Sequence, residues 1–301
     1  EITDRHQDIA ASLQEFFENT LVTITRQLYQ ETRLENLCLA GGVFLNCSAN
    51  QKILERSGFK NLFIQPAAGD AGGALGVAAY INHAILKNPR TGPQESSSLG
   101  PKFSASEIER ALRSQGLNFR KLSPEDFFGT VTDALIRNQA VGWFQGRMEF
   151  GPRALGNRSI LASPLNAKMR DYLNYQVKKR EGFRPFGPVV CLEDAPQYFD
   201  LSIPSPFMLL APKVRREMQS VIPAVTHADE TARIQTLTES QNSKLYRLLK
   251  VFGKKTGTPV LINTSFNLRG EPIVCSPEDA VSCFKKSDLD ALAIEDYWVE
   301  K

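Results

Sequence analysis

Residues 37–86 run LCLAGGVFLNCSANQKILERSGFKNLFIQPAAGDAGGALGVAAYINHAIL. Twice in this stretch a short apolar segment, Leu37 to Ala40 and then Leu62 to Gln65, gives way to glycines and a helical pattern, over Ser48–Ser57 and Gly72–Leu86. Strands alternating with helices specify an α/β fold. Upstream, Ile9, Leu13, Phe16, Phe17, Thr20, Leu21, Ile24 and Leu28 recur at three- and four-residue intervals, which predicts an amphipathic helix over 8–30 with one buried stripe. Downstream, NPRTGPQESSSLGPKFSAS (88–106) is rich in Pro, Gly and Ser and has no apolar period, the composition of a linker. Beyond it the pattern predicts helices over Ala105–Gln115, Pro124–Arg137 and Ser240–Lys255 and strands over Ala140–Gln145, Val189–Leu192 and Val260–Ile262, a second mixed α/β domain. The expected organisation is therefore a first domain over 1–88, a linker over 89–106 and a second domain over 107–301.

Composition narrows the class. The chain of 301 residues is long enough for two cores, and 42% apolar with 23% charged residues is that of a globular protein rather than a fibrous or disordered one. No apolar run reaches the roughly 18 residues of a membrane span, and no secretory signal pattern opens the chain. The first residue is Glu1 rather than Met, so a processed product or a portion of a longer protein is expected. Cys38, Cys47, Cys191, Cys275 and Cys283 are odd in number, show no CxxC spacing and lie in apolar surroundings, which points to buried reduced thiols and a cytoplasmic location. A net charge of +3 implies neither a nucleic-acid nor a membrane partner, so any basic site has to be local.

The local charge lies between residues 147 and 184, where nine bases face three acids. The stretch FQGRMEFGPRALGNRSI (144–160) sets arginines between Gly and Pro, on stiff backbone suited to bidentate clamping of phosphate or carboxylate. KKREGFRPF (178–186) repeats the arrangement, so a small-polyanion site is favoured over a solvated charged face. In GTPVLINTSFNLRGEP (257–272) a strand delivers Asn263, Ser265 and Asn267 to its carboxyl end, where ligands commonly bind; an Asx or ST turn is the plainer alternative. In AGGVFLNCSAN (40–50) the glycines, Asn46 and Asn50 fit either a nucleotide-binding turn or a tight turn with Asn caps. In AAGDAGGALG (67–76), Asp70 fits either a helix cap or a ligand to a cation bridging phosphates. His227 is one of three histidines and no HxxxH pair exists, so no His-rich metal site is expected. GxSxG, P-loop and GxGxxG motifs are likewise absent.

The strings GGVFLN (41–46), GDAGGALG (69–76), FQGRMEFGPRALGNRSILASP (144–164), TARIQT (231–236) and PVLINTSFNLRGEPIV (259–274) closely resemble the O-carbamoyltransferase family of antibiotic and nodulation-factor modification, across nearly the whole chain. The resemblance implies the second half of a ribonuclease-H-like, actin-type ATPase domain over 1–88, followed by a YrdC-like α/β domain with a twisted mixed sheet. It implies formation of carbamoyladenylate from ATP and carbamoyl phosphate, or carbamate derived from it, and then transfer of the carbamoyl group to the hydroxyl of a small-molecule acceptor. By matching motif, Arg153, Arg158, Lys178, Arg184 and Arg233 contact the phosphates and carbamoyl group, and Asn263, Ser265 and Asn267 the nucleotide. Gly41, Gly42, Asn46 and Asn50 match the family's nucleotide-binding turn, and Asp70 its ligand to a metal, Fe(II) or Mg2+.

The family's paired metal-binding histidines precede this stretch, so Asp70 is expected to lack a complete shell and transfer to need the missing half of the first domain. Glu230 stands where the family motif His-Asp-Gly-Thr-Ala-Arg has glycine. Two other readings follow from the same residues, an RNA-linked threonylcarbamoylation enzyme, which the small net charge disfavours, and a non-catalytic nucleotide-binding fragment.

Overall fold

Parallel strands joined in sequence need a crossover, and the first such unit supplies it with a helix. A computed structural model describes residues 2–90 and 92–301. It divides into two compact units, the chain up to Gly92 together with Leu209–Ala211, and Pro93–Met208 together with Pro212–Lys301. In the first unit β1 (Asn36–Leu39) pairs in parallel with β2 (Asn61–Ile64), Leu37 opposite Leu62 and Leu39 opposite Ile64, and the crossover contains α2 (Cys47–Arg56). The unit opens with α1 (Asp4–Thr32) and closes with α3 (Gly72–Tyr80), which runs into a wide π-type turn, Ile81–Ile85.

Here one expectation is overturned. The apolar stripe of α1 is not buried: Ile9, Leu13, Phe16, Ile24 and Leu28 are exposed, and the buried residues of the helix are Val22 and Thr25. The periodicity identified the helix correctly but not what lies against its apolar side. α3 and the turn after it likewise expose Val77, Tyr80, Ile81 and Ile85.

The second unit is built on one eight-stranded mixed sheet. Its strands are β3 (Arg120–Lys121), β4 (Val141–Phe144), β5 (Arg158–Ala162), β6 (Gly187–Cys191), β7 (Gln235–Leu237), β8 (Val260–Ser265), β9 (Ala291–Ile294) and β10 (Tyr297–Glu300), in the spatial order β3-β10-β9-β4-β5-β8-β6-β7. The pairs β4/β9 and β6/β7 are parallel and the others antiparallel. Side chains on a strand alternate between faces, and the core divides accordingly. Phe144, Ile160, Ala162, Val190, Val260, Ile262, Leu292 and Ile294 join one apolar cluster with α4 (Ala105–Ser114) and α9 (Pro277–Lys286). Val141, Trp143, Leu161, Val189, Cys191, Leu261, Ala291 and Ala293 join another with α5 (Pro124–Ile136) and α8 (Ser243–Thr256). With both faces covered, β4 (VGWF) and β9 (ALAI) read as continuous apolar runs. Two short helices, α6 (Lys168–Asp171), which runs into a second π-type turn over Tyr172–Val177, and α7 (Ala195–Tyr198), complete the unit.

All five cysteines are free thiols; Cys191 and Cys283 are buried, whereas Cys38 is exposed, against the expectation. Among the described residues no helix is long and apolar enough to cross a membrane.

Candidate functional site

The central strand β5 grows directly out of the arginine-rich loop, and one buried carboxylate holds that loop in shape. Glu149 Oε1 accepts the backbone N–H groups of Leu155 at 2.6 Å, Asn157 at 2.8 Å and Arg158 at 3.4 Å. Burial raises the Glu149 carboxyl above its usual range even though these donors pull the other way. Trp143 Nε1 and Asn242 Nδ2 donate to Gly156 O at 2.8 and 3.2 Å, closing the loop from below. Gly156 sits at φ 108°, and a Cβ there would lie 2.5 Å from Leu245 Cδ2, so both conformation and space demand glycine. The loop thus fixes the backbone on which Arg153 is mounted.

Around Arg153 the second unit forms a cavity of about 260 Å3. Arg153, Arg180, Arg184, Arg233, Asn263 and Ser265 are among its lining residues, and no carboxylate is. Arg180 and Arg184 follow the π-type turn Tyr172–Val177, a deviation frequent at functional sites. Asn174 in that turn organises both: its Oδ1 accepts Arg180 Nε at 2.8 Å, and its Nδ2 donates to Arg184 O at 2.9 Å. Glu181 lies outside the lining and pairs with Arg184 Nε and with Arg269, each at 3.0 Å. Burial first, and then the charges of Arg184 and Arg233, lower the Arg180 guanidinium to about 10. Arg233 Nε is buried and has no hydrogen-bond partner among the described residues. Four guanidiniums on one lining, with the nearest acid, Glu181, paired to Arg184 from outside it, form an electrostatic sink for a small polyanion.

Five of the expected contacts, Arg153, Arg184, Arg233, Asn263 and Ser265, come together here, joined by Arg180, which had counted only toward the local charge. Three others do not line the cavity. Arg158 is fully buried: its guanidinium donates to the carbonyls of Gln145 at 2.9 Å and Asn157 at 3.0 Å and lies 3.6 Å from the Phe144 ring centroid. Burial lowers it to about 10. Its geometry is that of a brace between β4, β5 and the loop. Lys178, also buried, donates through Nζ to Ser265 O, to Asn267 O at 3.0 Å and to Asn267 Oδ1 at 2.8 Å. Asn267 is spent on that lysine, on Ser265 Oγ at 2.7 Å and on Glu271 O at 2.8 Å. Lacking a carboxylate partner, Lys178 is lowered by burial to about 7.

The residues expected in the first domain lie in the first unit. Gly41 N donates to Ala68 O at 2.8 Å, tying the two glycine turns together, and Gly42 opens a short 3-10 turn to Leu45. Asn46 caps α2 by accepting Ala49 N at 3.0 Å and exchanges amide bonds with Gln14. Asn50 is buried and donates to Phe44 O at 2.8 Å and Leu209 O at 2.9 Å. Asp70 is exposed, and α3 is capped by Ala71 with no side-chain bond, so Asp70 does not fill the cap role. A Cβ at Gly72 would lie 2.1 Å from Ala67 O, which explains one glycine of that run without a ligand.

For a metal, the donor set around Asp70 does not suffice. Among the described residues the one cluster of three potential ligands is Cys191, Glu193 and Asp194, and Lys250 neutralises it through ion pairs of 2.7 Å to each carboxylate. The residues present therefore do not form a site for Fe(II) or Mg2+.

Two family models match this chain, the carbamoyltransferase C-terminus over residues 132–301 and the carbamoyltransferase N-terminus over residues 1–79. The chain belongs to the carbamoyltransferase family. An uncharacterized protein of Synechocystis is 45% identical, covering 100% of this chain and 53% of that protein. Nodulation protein NolNO of Sinorhizobium fredii is 41% identical over 99% of this chain and 45% of its own length. The 3'-hydroxymethylcephem-O-carbamoyltransferase of Amycolatopsis lactamdurans is 34% identical over 97% of this chain and 54% of its own length. This carbamoyltransferase-family chain thus spans about half the length of these relatives. The matched C-terminal region contains the whole arginine cavity.

Proposed function

We propose that the arginine cavity is the site at which an O-carbamoyltransferase prepares its carbamoyl donor, by forming carbamoyladenylate from ATP and carbamoyl phosphate. The observation that carries this reading is the convergence of Arg153, Arg180, Arg184 and Arg233 on one cavity with no carboxylate in its lining. Its volume of about 260 Å3 suits a small polyanion and its phosphate neighbours, with the adenosine extending beyond it.

In this reading carbamoyl phosphate loses its phosphate to water, and an oxygen of the resulting carbamate attacks the α-phosphorus of ATP. The bond from that phosphorus to the bridging oxygen breaks and pyrophosphate leaves. The arginines hold reactants that repel one another and neutralise charge on the transferring phosphorus and the leaving pyrophosphate. Ser265 lines the cavity, and because its hydroxyl donates to Asn267 Oδ1 at 2.7 Å its oxygen serves there as an acceptor. Neither Arg158 nor Lys178 lines the cavity; Arg158 braces the Arg153 loop and Lys178 braces the end of β8, which carries Ser265. Transfer to an acceptor hydroxyl belongs to the longer protein. The first unit is then part of an actin-type ATPase-like domain and the second a YrdC-like domain.

The test is pyrophosphate release from ATP with and without carbamoyl phosphate, in the absence of any acceptor alcohol. Release is expected to require carbamoyl phosphate and to fall by about a hundredfold or more in Arg233→Ala, the usual cost of removing one preorganised charge donor. Release that ignores carbamoyl phosphate, or that survives intact in both Arg233→Ala and Arg153→Ala, overturns the assignment.

A further inference from the structure

The cavity is basic, yet one of its lining residues, Asn263, carries a buried acceptor. Asn263, on β8, is fully buried and lines the cavity, and its Oδ1 has no hydrogen-bond partner among the described residues. A buried amide can often be turned to exchange its oxygen and nitrogen, but a second amide prevents that here. Gln235, on the edge strand β7, is also buried. Its Nε2 donates to Leu155 O at 2.8 Å, and a carbonyl can be met only by a donor, so Gln235 Oε1 has to face the other way. There it accepts Asn263 Nδ2 at 2.7 Å. The relay runs from the Leu155 carbonyl through Gln235 to Asn263, and it ends with an oxygen left over. Leu155 belongs to the loop that Glu149 clamps, so the relay starts from fixed backbone.

An unpaired buried acceptor is costly unless something satisfies it. The arginines beside it draw an anion, so the ligand that completes the cavity carries both negative charge and a neutral N–H donor. We infer that Gln235 is a positioning residue that locks the Asn263 amide with Oδ1 toward the cavity, and that this oxygen selects a carbamoyl over an acetyl group by accepting its N–H. Carbamoyl phosphate and acetyl phosphate differ only by NH2 against CH3, so the arginines treat them alike and Asn263 Oδ1 does not. A site built to pair a substrate N–H rejects the analogue lacking it because its own polar group is stranded. Gln235 does not line the arginine cavity, and its effect on selectivity passes through Asn263.

This inference rests on the cavity's being the carbamoyl phosphate site, and the experiment separates the two. Dissociation constants of fresh carbamoyl phosphate and of acetyl phosphate are measured by competition against inorganic phosphate in the intact chain, each referred to the same protein's phosphate affinity. Wild type is expected to prefer carbamoyl phosphate by about tenfold to a hundredfold, the weight of one buried unpaired acceptor. In Gln235→Met the preference should fall towards unity, because the 2.7 Å bond that orients the Asn263 amide is lost and only the 3.5 Å bond from its Nδ2 to Ala154 O remains. That ratio is a readout that loosened packing alone does not move. Equal affinities in wild type overturn the inference while leaving the anion site standing, and so does an undiminished preference in Gln235→Met. Failure of wild type to bind phosphate or either acyl phosphate overturns the reading of the cavity itself.

Discussion

Glu230 shows how one backbone angle decides between two readings of a residue. Its φ is 64°, the left-handed region in which a Cβ costs about 1–2 kcal/mol. That is why glycine suits this position in the family motif, and it also means that the carboxylate is no intrusion on the anion site. The side chain is exposed, lies 3.6 Å from Lys213 and is not among the cavity's lining residues. Restoring glycine releases the left-handed penalty, at the cost of about 0.4–1 kcal/mol of extra unfolded-chain entropy and an exposed ion pair worth at most about 1 kcal/mol. Glu230→Gly is therefore expected to raise stability by about 0.5 kcal/mol with phosphate affinity unchanged, as read from urea midpoints and a phosphate titration. A drop in stability would mean that the Lys213 pair outweighs the strain. At this scale the expected contacts Arg153 and Arg233 both line the cavity. Arg158, expected beside them, lies in the interior, and nothing in the string GNRS marks it as a residue whose guanidinium is caged by carbonyls.

The elements that shape the cavity are mostly those that periodicity cannot reveal. β5 has only five residues and emerges from a run of Gly, Pro and Arg, so the whole run reads as loop; its strand character comes from pairing with β4 and β8. β7 is three residues long and β9 and β10 four each, too short for a pattern to repeat, whereas α4, α5 and α8 were legible from their stripes and caps. Lys178 belongs to this scale because it joins two elements, the π-type turn and the end of β8. Its folded value is depressed from 10.5 to about 7. Between those values the unfolded chain binds more protons at this group than the folded chain does, so the stability it contributes grows as pH rises from about 7 and levels off near 10.5. Lys178→Met has no such proton to lose. Wild type should therefore gain stability over the variant between pH 7 and pH 9, by at most about 1.4 kcal/mol per pH unit. Urea unfolding of both proteins at the two pH values measures this, and a gap that stays constant or narrows would show that Lys178 is charged in the fold.

Across the whole molecule, the basic stretch and the exposed apolar stripe of α1 lie in different units. The stretch between residues 147 and 184, all within the second unit, has nine bases and three acids in a chain whose net charge is only +3. The first unit instead leaves apolar side chains in water. On α1, Ile9, Leu13, Phe16, Ile24 and Leu28 repeat at helical spacing along one side, with Leu13 67% and Phe16 71% exposed. A stripe this long exceeds the scattered apolar exposure normal for a soluble surface, and each side chain of this size gains about 1.5–3 kcal/mol on full burial. In a solution of this chain alone, the surface available to cover the stripe is that of a second copy. Light scattering is therefore expected to give a mass above 33.5 kDa that rises with concentration. Leu13→Glu combined with Phe16→Glu should return it to the monomer value, because both side chains are exposed and neither contributes to the buried side of the helix, which Val22 and Thr25 occupy. A monomeric mass in wild type at all concentrations would mean that the stripe is tolerated in water. In that case the buried side of α1, through Val22 and Thr25, is enough to hold the helix against its own unit.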